Sequence, residues 1–292
     1  MADPFQTHPR RVAIIGVGLI GGSFALAMRE AARDITIVGY DRDEVNLAAA
    51  KQLGVIDSAV HSLSQVVKDA DVIQLSVPVG QMESVLKEIA KDISPTAIIT
   101  DVGSTKGNVV ELAQKLLGPA AKRFVPAHPI AGAENSGVRS ARKDLFKDKS
   151  VVMVETDFTD PLPFEIVKRC WQACGAKIET MTVNRHDSVF GVVSHLPHIL
   201  SYTLVYDIAT RIDAETFFHF AASGFRDFTR IAGSNPEMWK DISLANKTTL
   251  LLELQRYQDL LRYFQDALES DDDEAIESFF KIARDARRDW SE

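Results

Sequence analysis

Cysteine is scarce in this chain: its 292 residues include only Cys170 and Cys174. That excludes a disulfide-stapled scaffold, and no Cys/His spacing matches a zinc site. The pair reads as two small buried apolar side chains in one helix. An excess of positive charge is also lacking. The formal net charge of −8 denies the chain the basic face that a non-specific nucleic-acid binder needs. A few arginines can still dominate a local pocket for an anionic ligand. No run approaches the roughly twenty apolar residues of a membrane span, and the polar start has no signal-peptide core. These absences predict a soluble cytoplasmic protein with neither nucleic acid nor membrane among its partners. The hydrophobic content of 46% and charged content of 25% fit that class.

What is present is a strand, a glycine turn and a helix in direct succession. Val12-Ala13-Ile14-Ile15 runs into Gly16-Val17-Gly18-Leu19-Ile20-Gly21-Gly22-Ser23, and a helical pattern follows to about Arg33. In such a Gly-x-Gly-x-x-Gly motif, the first glycine permits the tight turn and the second lets a pyrophosphate approach the backbone. The third lets helix and strand pack closely, and the phosphates sit on unpaired N–H groups at the helix start. Gly16, Gly18, Leu19, Ile20 and Gly21 are therefore the expected cofactor cradle. A second apolar run, 35–40, ends in Asp41, 20 residues beyond Gly21, where a ribose-binding carboxylate belongs. Arg42 beside it can accommodate a 2′-phosphate, so NAD is the preferred cofactor and NADP the alternative.

Further short apolar runs at 72–77, 97–100, 123–125 and 151–154 alternate with helical stretches near 43–53, 63–69, 80–91, 104–117 and 161–174. That alternation implies an α/β fold: a Rossmann-type, doubly wound, mostly parallel sheet covered by helices on both faces. Beyond Thr182 nearly everything reads as helix. The expected domains are thus 11–181, dinucleotide-binding, and 182–292, all-helical, for substrate and dimerisation. The first long helix, Asn184 to about Ala209, is apolar enough to be buried, and Pro197 should kink it. Leu250, Leu254, Tyr257, Leu261, Phe264 and Leu268 form a seam at alternating spacings of four and three. Intrachain packing and a homodimer interface are both open readings of it. The last helix begins with acids at 271–273 and ends with Arg284, Arg287 and Arg288, which complements its dipole.

Ligands of such sheets gather at the carboxyl ends of the strands, so polar residues there are the candidates for chemistry. Val77-Pro78 ends one strand, the 101–106 segment the next, and the segment from Pro126 to Gly132 a third. His128 is the candidate proton acceptor for a substrate hydroxyl at neutral pH. Ser104 begins a helix, where it can serve as an N-cap or hydrogen-bond the same hydroxyl. Lys106 reads as a solvated or phosphate-steering side chain. In the helical region, His195 and His198 lie three apart on one helical face. This HxxH lacks a third ligand, so a polar pair lining a substrate pocket is expected and a metal is not. Arg226 and Arg230 are both candidates for a bidentate carboxylate clamp, and spacing does not choose between them.

The glycine motif, the DVGSTK segment at 101–106, HPIAG at 128–132, SHLPH at 194–198 and FRDFTR at 225–230 together resemble the prephenate/arogenate (cyclohexadienyl) dehydrogenases of tyrosine biosynthesis. The resemblance spans about residues 11 to 250. It implies an oxidative decarboxylation in which hydride passes from C4 of a cyclohexadienol to NAD and the ring carboxylate leaves as CO2. It implies His128 as acceptor for the C4 hydroxyl, assisted by Ser104, and Arg230 as the carboxylate clamp. His198 and Trp239 would line the substrate site, and Glu134 and Asp227 would form an ionic set with Arg230. No ACT-type regulatory domain is expected after Trp290, so L-tyrosine would inhibit by competing at the active site. One rival is a β-hydroxyacid or 6-phosphogluconate-type dehydrogenase, which relies on a lysine in its helical domain; here no lysine occurs between Lys177 and Lys240. The other is a non-catalytic NAD-sensing dimer, which gives no reason to keep His128, Ser104 and Arg230 at one crevice.

Overall fold

In the computed structural model, which describes residues 9–133 and 135–291, the chain forms two compact units, one up to Asn246 and one from Lys247. The first unit opens with β1 (Arg11–Ile15), α1 (Leu19–Ala31), β2 (Thr36–Tyr40) and α2 (Glu44–Gln52). β3 (Ser58–Ala59), α3 (Leu63–Val67), β4 (Val72–Leu75), α4 (Met82–Ile89), β5 (Ile98–Asp101), α5 (Gly107–Leu116) and β6 (Phe124–Val125) follow. All six strands pair in parallel, in the order β3-β2-β1-β4-β5-β6. The order reverses between β1 and β4, which opens a crevice at their carboxyl ends.

β1 shows why this sheet forms. Val12, Ala13, Ile14 and Ile15 are all fully buried, as expected of a strand covered on both faces. Val12 and Ile14 enter one core cluster with Phe24, Met28 and Trp171, while Ala13 and Ile15 enter the other with Ile73, Leu86 and Phe124. Successive side chains thus supply opposite layers, the two-residue period of a strand.

After β6 the chain leaves this sheet at Pro126 and starts a second one. β7 (Ala127–Pro129) pairs antiparallel with β8 (Ser150–Glu155), and β8, after α6 (Pro161–Ala173), pairs in parallel with β9 (Lys177–Thr182). The three-stranded sheet departs from the single-sheet expectation, and it moves His128 from a strand end into the middle of β7, opposite Val152. Proline has no N–H for a ladder, so the continuous apolar run breaks there. Cys170 and Cys174 are buried free thiols whose pKa values burial raises, to about 12 for Cys170.

The junction between the sheets is held by Asp101 at the end of β5. One carboxylate oxygen accepts from Ala127 N at 3.2 Å, and the other accepts from Gly103 N at 2.8 Å and Lys106 Nζ at 2.5 Å. Both side chains of the Asp101–Lys106 pair are completely buried. Lys106 is therefore not the solvated side chain expected from sequence; burial lowers its pKa and the adjacent Asp101 charge opposes that shift.

The chain then turns helical: α7 (Val183–Phe190), a π-helical segment (Gly191–His195), α8 (Leu196–Ala209), α9 (Ala214–Phe220), α10 (Ser223–Thr229) and α11 (Pro236–Ala245). The run Val183–Ala209 spans 27 residues and contains an 18-residue window of mean hydropathy 1.3, long and apolar enough to cross a membrane by length and composition, contrary to the expectation that no run reaches that length. Its buried His186 and His195 and its half-buried Asp187 are hydrogen-bonded to other parts of the unit, which gives the helix a role in the site. The expected break near Pro197 appears as the π segment just before it, and Pro197 itself lies in the first turn of α8. A wider turn there absorbs the missing donor.

The second unit is a helical hairpin of α12 (Lys247–Glu269) and α13 (Asp273–Ser291). Phe264 packs on Phe279 and Phe280, with ring centroids 5.1 and 5.5 Å apart. Within the expected seam, Leu250 is buried but Leu261 and Leu268 are exposed, as are Leu251, Leu252 and Leu260 beside it.

Removing the Asp101 carboxylate leaves a buried ammonium without its partner, a change that costs about 3–5 kcal/mol. Asp101→Ala should therefore lower unfolding stability by about that amount in urea titrations followed by tryptophan fluorescence. Replacing Lys106 by Met in the same chain should recover part of the loss but not all of it, because Gly103 and Ala127 remain without their acceptor.

Candidate active site

The glycine loop has the geometry its sequence implies. Gly16 adopts a φ of +92° and donates its N–H to Tyr40 O at 2.8 Å, a turn open to glycine at little cost. A Cβ on Gly21 would strike the Gly16 carbonyl and Ile14, so this glycine permits the close packing of α1 on β1. At Gly18 a Cβ would meet nothing within 4 Å, leaving backbone open to an incoming phosphate. Leu19 and Ile20 form the first turn of α1, and α1 has no side-chain cap at its start. Its first N–H groups are thus available to an anion.

Asp41 leaves the end of β2 and faces this loop. Its Oδ2 accepts from Val17 N at 2.9 Å and Asn46 Nδ2 at 3.0 Å, and its Oδ1 accepts from Asp43 N at 3.0 Å. Arg42 is exposed and lies 3.7 Å from Glu237. Val77 and Pro78 follow β4, on the other side of the crevice, and both are half-buried.

Ser104 lies in the turn after β5, outside the helix it was expected to begin: α5 starts at Gly107. The side chain that caps α5 comes from α7. Asp187 accepts from Lys106 N and Gly107 N, each at 2.8 Å, so both of its oxygens hold orphan donors of that helix. The competition between capping and substrate binding anticipated for Ser104 therefore does not arise.

His128 projects from β7 toward α7. Its Nδ1 lies 2.9 Å from His186 Nε2, and His186 Nδ1 lies 2.8 Å from Asp187 Oδ1. Phe190, one turn beyond His186, packs edge-on against His128 with ring centroids 4.8 Å apart. Burial pushes the His128 pKa well below its ordinary value, and the nearby His186, Lys106 and His195 charges push it the same way. The imidazole is thereby kept neutral and able to accept a proton.

His195 closes the π segment and His198 lies in the first turn of α8, and both rings lie on Trp239, with centroids 6.1 and 3.7 Å from its ring. His195 is buried, with Nδ1 3.1 Å from Asn246 Nδ2 and its ring beside the Ser104 backbone; burial lowers its pKa to about 4. His198 donates from Nδ1 to Ser194 O at 2.8 Å and stacks on Trp239 with centroids 3.7 Å apart. Burial lowers its pKa too, and the Arg230 charge adds to the effect. Arg230 begins the short helical turn after α10 and is exposed, as is Asp227. Glu134, the third member of the expected ionic set, lies outside the described residues. Trp239 comes from α11, and an open cleft of about 280 Å³ beside it is lined by Ile199, Tyr202, Thr203 and Lys240.

One side of the site thus gathers His128, the Ser104 turn, His195, His198 and Trp239, while the glycine loop, Asp41 and Val77-Pro78 form the other. Sequence reasoning missed His186, Asp187, Phe190 and Asn246. A local signal existed: Thr182 caps α7 by accepting from Arg185 N, and His186 and Phe190 then fall four apart on its buried face.

Residues 24–180 match the family model described as "Prephenate dehydrogenase, nucleotide-binding domain", and residues 182–282 match "Prephenate dehydrogenase, dimerization domain". The prephenate dehydrogenase of Bacillus subtilis (strain 168) is 37% identical over 281 residues, covering 94% of this chain and 75% of the relative. The cyclohexadienyl dehydrogenase of Zymomonas mobilis is 32% identical over 280 residues, 95% of each chain. Among solved structures, prephenate dehydrogenase from A. aeolicus in complex with hydroxyphenyl propionate and NAD+ superposes with a TM-score of 0.90 at 35% identity, covering 98% of this chain and 99% of that one. Similarity of this extent runs through both halves of the site, and the chain belongs to the prephenate dehydrogenase family.

Proposed function

We propose that this chain catalyses the oxidative decarboxylation of prephenate to 4-hydroxyphenylpyruvate with NAD, and that of L-arogenate to L-tyrosine by the same chemistry. The observation that carries the reading is His128: a neutral imidazole at the crevice, tied through Asp101 to the loop that bears Ser104. The rival based on a helical-domain lysine has no such residue to offer, since Lys177 and Lys240 bracket a lysine-free stretch. A sensor without catalysis leaves that neutral histidine without a task.

The residues present fit the cofactor. Gly18 offers open backbone, α1 offers uncapped N–H groups, and Asp41 stands at the end of β2 where a ribose hydroxyl would meet it. Leu19, Ile20, Val77 and Pro78 would flank the nucleotide, and Arg42 is the side chain that could admit a 2′-phosphate. NAD, when bound, accepts the hydride released from C4 of the ring. His128 takes the proton of the C4 hydroxyl as that carbon becomes carbonyl-like, with Ser104 hydrogen-bonded to the same oxygen. Loss of the ring carboxylate as CO2 returns its electron pair to the ring, and His128 then gives the proton back to the phenolate oxygen. Restored aromaticity makes the sequence one-way.

Arg230 is the clamp for a substrate carboxylate, with Asp227 and Glu134 as its ionic partners, and His195, His198 and Trp239 bound the substrate space. L-Tyrosine, the arogenate product and the bearer of the same 4-hydroxyphenyl ring as 4-hydroxyphenylpyruvate, competes for that space. The domains are 11–181 for the nucleotide and 182–292 for substrate and dimerisation. The exposed leucines of α12 support a homodimer, and a cytoplasmic setting suits the free thiols.

Replacing His128 by Asn should lower kcat by roughly 10²–10⁴-fold while NAD binding persists, and near-normal turnover would remove His128 from its role. Because its pKa is depressed, His128 remains an acceptor below pH 6.5, and activity is lost only as pH falls through the lowered value. In pH profiles, kcat/KM should therefore be flat from pH 8 to 6.5; an acid limb above 6.5 contradicts the assignment. For Arg230→Ala the expected change is a steep rise in prephenate KM, with Arg226 next in line if KM stays constant. Steady-state assays of prephenate and arogenate, each with NAD and with NADP and with L-tyrosine as inhibitor, should show NAD preferred and tyrosine competitive with substrate.

A further inference from the structure

We propose that His186 and Asp187 are positioning residues that fix His128 as its Nδ1–H tautomer and leave Nε2 as the proton acceptor. This rests on the reading of His128 as the base, and it assigns a task to two residues that reading did not use.

One chain of hydrogen bonds fixes the position of every proton from Asp187 to His128. Asp187 spends both oxygens on backbone donors at the start of α5, Lys106 N and Gly107 N, and backbone N–H groups cannot act as acceptors. Asp187 therefore remains a carboxylate, in agreement with a pKa held below the ordinary value by the His186, Lys106 and Gly107 hydrogen bonds in spite of burial. A carboxylate only accepts, so the 2.8 Å contact from His186 Nδ1 requires the proton to be on that nitrogen. His186 is completely buried, and burial outweighs the Asp187 charge and lowers its pKa, so the ring is neutral and its Nε2 carries a lone pair. The 2.9 Å contact between that lone pair and His128 Nδ1 then requires a proton on His128 Nδ1. A neutral His128 with hydrogen on Nδ1 has none on Nε2.

Orientation is fixed by the same residues. Phe190 packs on both rings, with centroids 4.8 Å from His128 and 4.6 Å from His186, so the imidazoles have little freedom to turn. The charged and titratable groups acting on His128 are His186 on α7, Lys106 before α5 and His195 in the π segment, and all three disfavour its cationic form. Asp101 and Asp187 act on His186 in the opposite sense. A proton on His186 would turn its Nε2 into a donor and force the other tautomer on His128, with the hydrogen on the nitrogen that must accept. Protonation at either ring thus abolishes the base, and the acid limb of activity belongs to the pair.

Two measurements on the full-length protein test this. The first is the ring ¹⁵N spectrum of histidine-labelled wild type at pH 8 without cofactor, with His128 assigned by its absence in His128→Asn. The expected result is a protonated Nδ1 and a bare Nε2; a protonated Nε2 overturns the proposal. The second compares His186→Gln, whose side-chain carbonyl can still accept from His128 Nδ1, with His186→Phe, which cannot. Phe should lower kcat roughly 10²-fold, as expected when a base is left in mixed tautomers, with the NAD dissociation constant unchanged. Gln should restore at least a tenth of wild-type kcat. Phe at wild-type kcat, or Gln no better than Phe, overturns it. Wild type inactive with both prephenate and arogenate defeats the functional reading alone, because the ring spectrum still reports the tautomer. Wild type that is active but carries hydrogen on His128 Nε2 defeats the relay alone.

Discussion

The buried contact between Asp101 and Lys106 is the constraint on which the site depends. It lies where β5 ends and the chain must pass from a six-stranded parallel sheet to a separate three-stranded one. Burying an ion pair removes hydration worth several kcal/mol per ion, and the mutual attraction often only balances that loss. Its value here is positional. A carboxylate with three donors around it, at Gly103, Lys106 and Ala127, fixes the turn holding Ser104 relative to the strand holding His128. An apolar pair of the same volume would fill the space and leave two backbone donors unsatisfied.

A second carboxylate completes the arrangement from the helical side. Asp187 binds the start of α5, which immediately follows Lys106, so the short segment from Asp101 to Gly107 is held at one end by its own strand and at the other by α7. Asn246 adds a further tie, donating to the Asp187 carbonyl at 2.8 Å and lying beside His195. These bonds explain why residues 183–246 pack with the sheet as one compact unit while α12 and α13 form another. The proposed chemistry needs that union, because His128, its proposed acceptor, is carried by a strand and the residues hydrogen-bonded to it, His186 and Asp187 in turn, are carried by a helix.

The sheet was legible in the sequence because its signals are local and redundant. Val12 to Ile15 and the runs near 98 and 151 are continuous apolar stretches, the run near 72 is interrupted only by Gln74, and each glycine of the first turn has a separate steric reason to be there. His128 was legible as a polar residue after an apolar run. What escaped was set by contacts between residues far apart in the chain. Pro126 broke the third run and redirected it. Lys106 resembled a surface lysine because nothing near it in sequence announces that Asp101, five residues earlier, is buried with it. His186 and Asp187 sat inside a pattern read simply as an apolar helix, and their meaning appears only when α7 meets the start of α5, 80 residues earlier for Gly107.

His195 and His198 show how differently two similar side chains three residues apart can be held, although both touch Trp239. On a regular helix, residues three apart face nearly the same way. The π segment ending at His195 widens the turn, and Pro197, with no N–H to give, follows at once. His195 is buried against Asn246 and meets Trp239 edge-on, its pKa lowered by burial to about 4, whereas His198 stays half-buried, stacks on the same Trp239 and feels the Arg230 charge. The first lies beside the Ser104 backbone, and the second covers the Trp239 ring. A single helical run thus supplies, within 13 residues, the hydrogen-bond partner of His128, a buried ring beside the Ser104 turn and a ring stacked on Trp239.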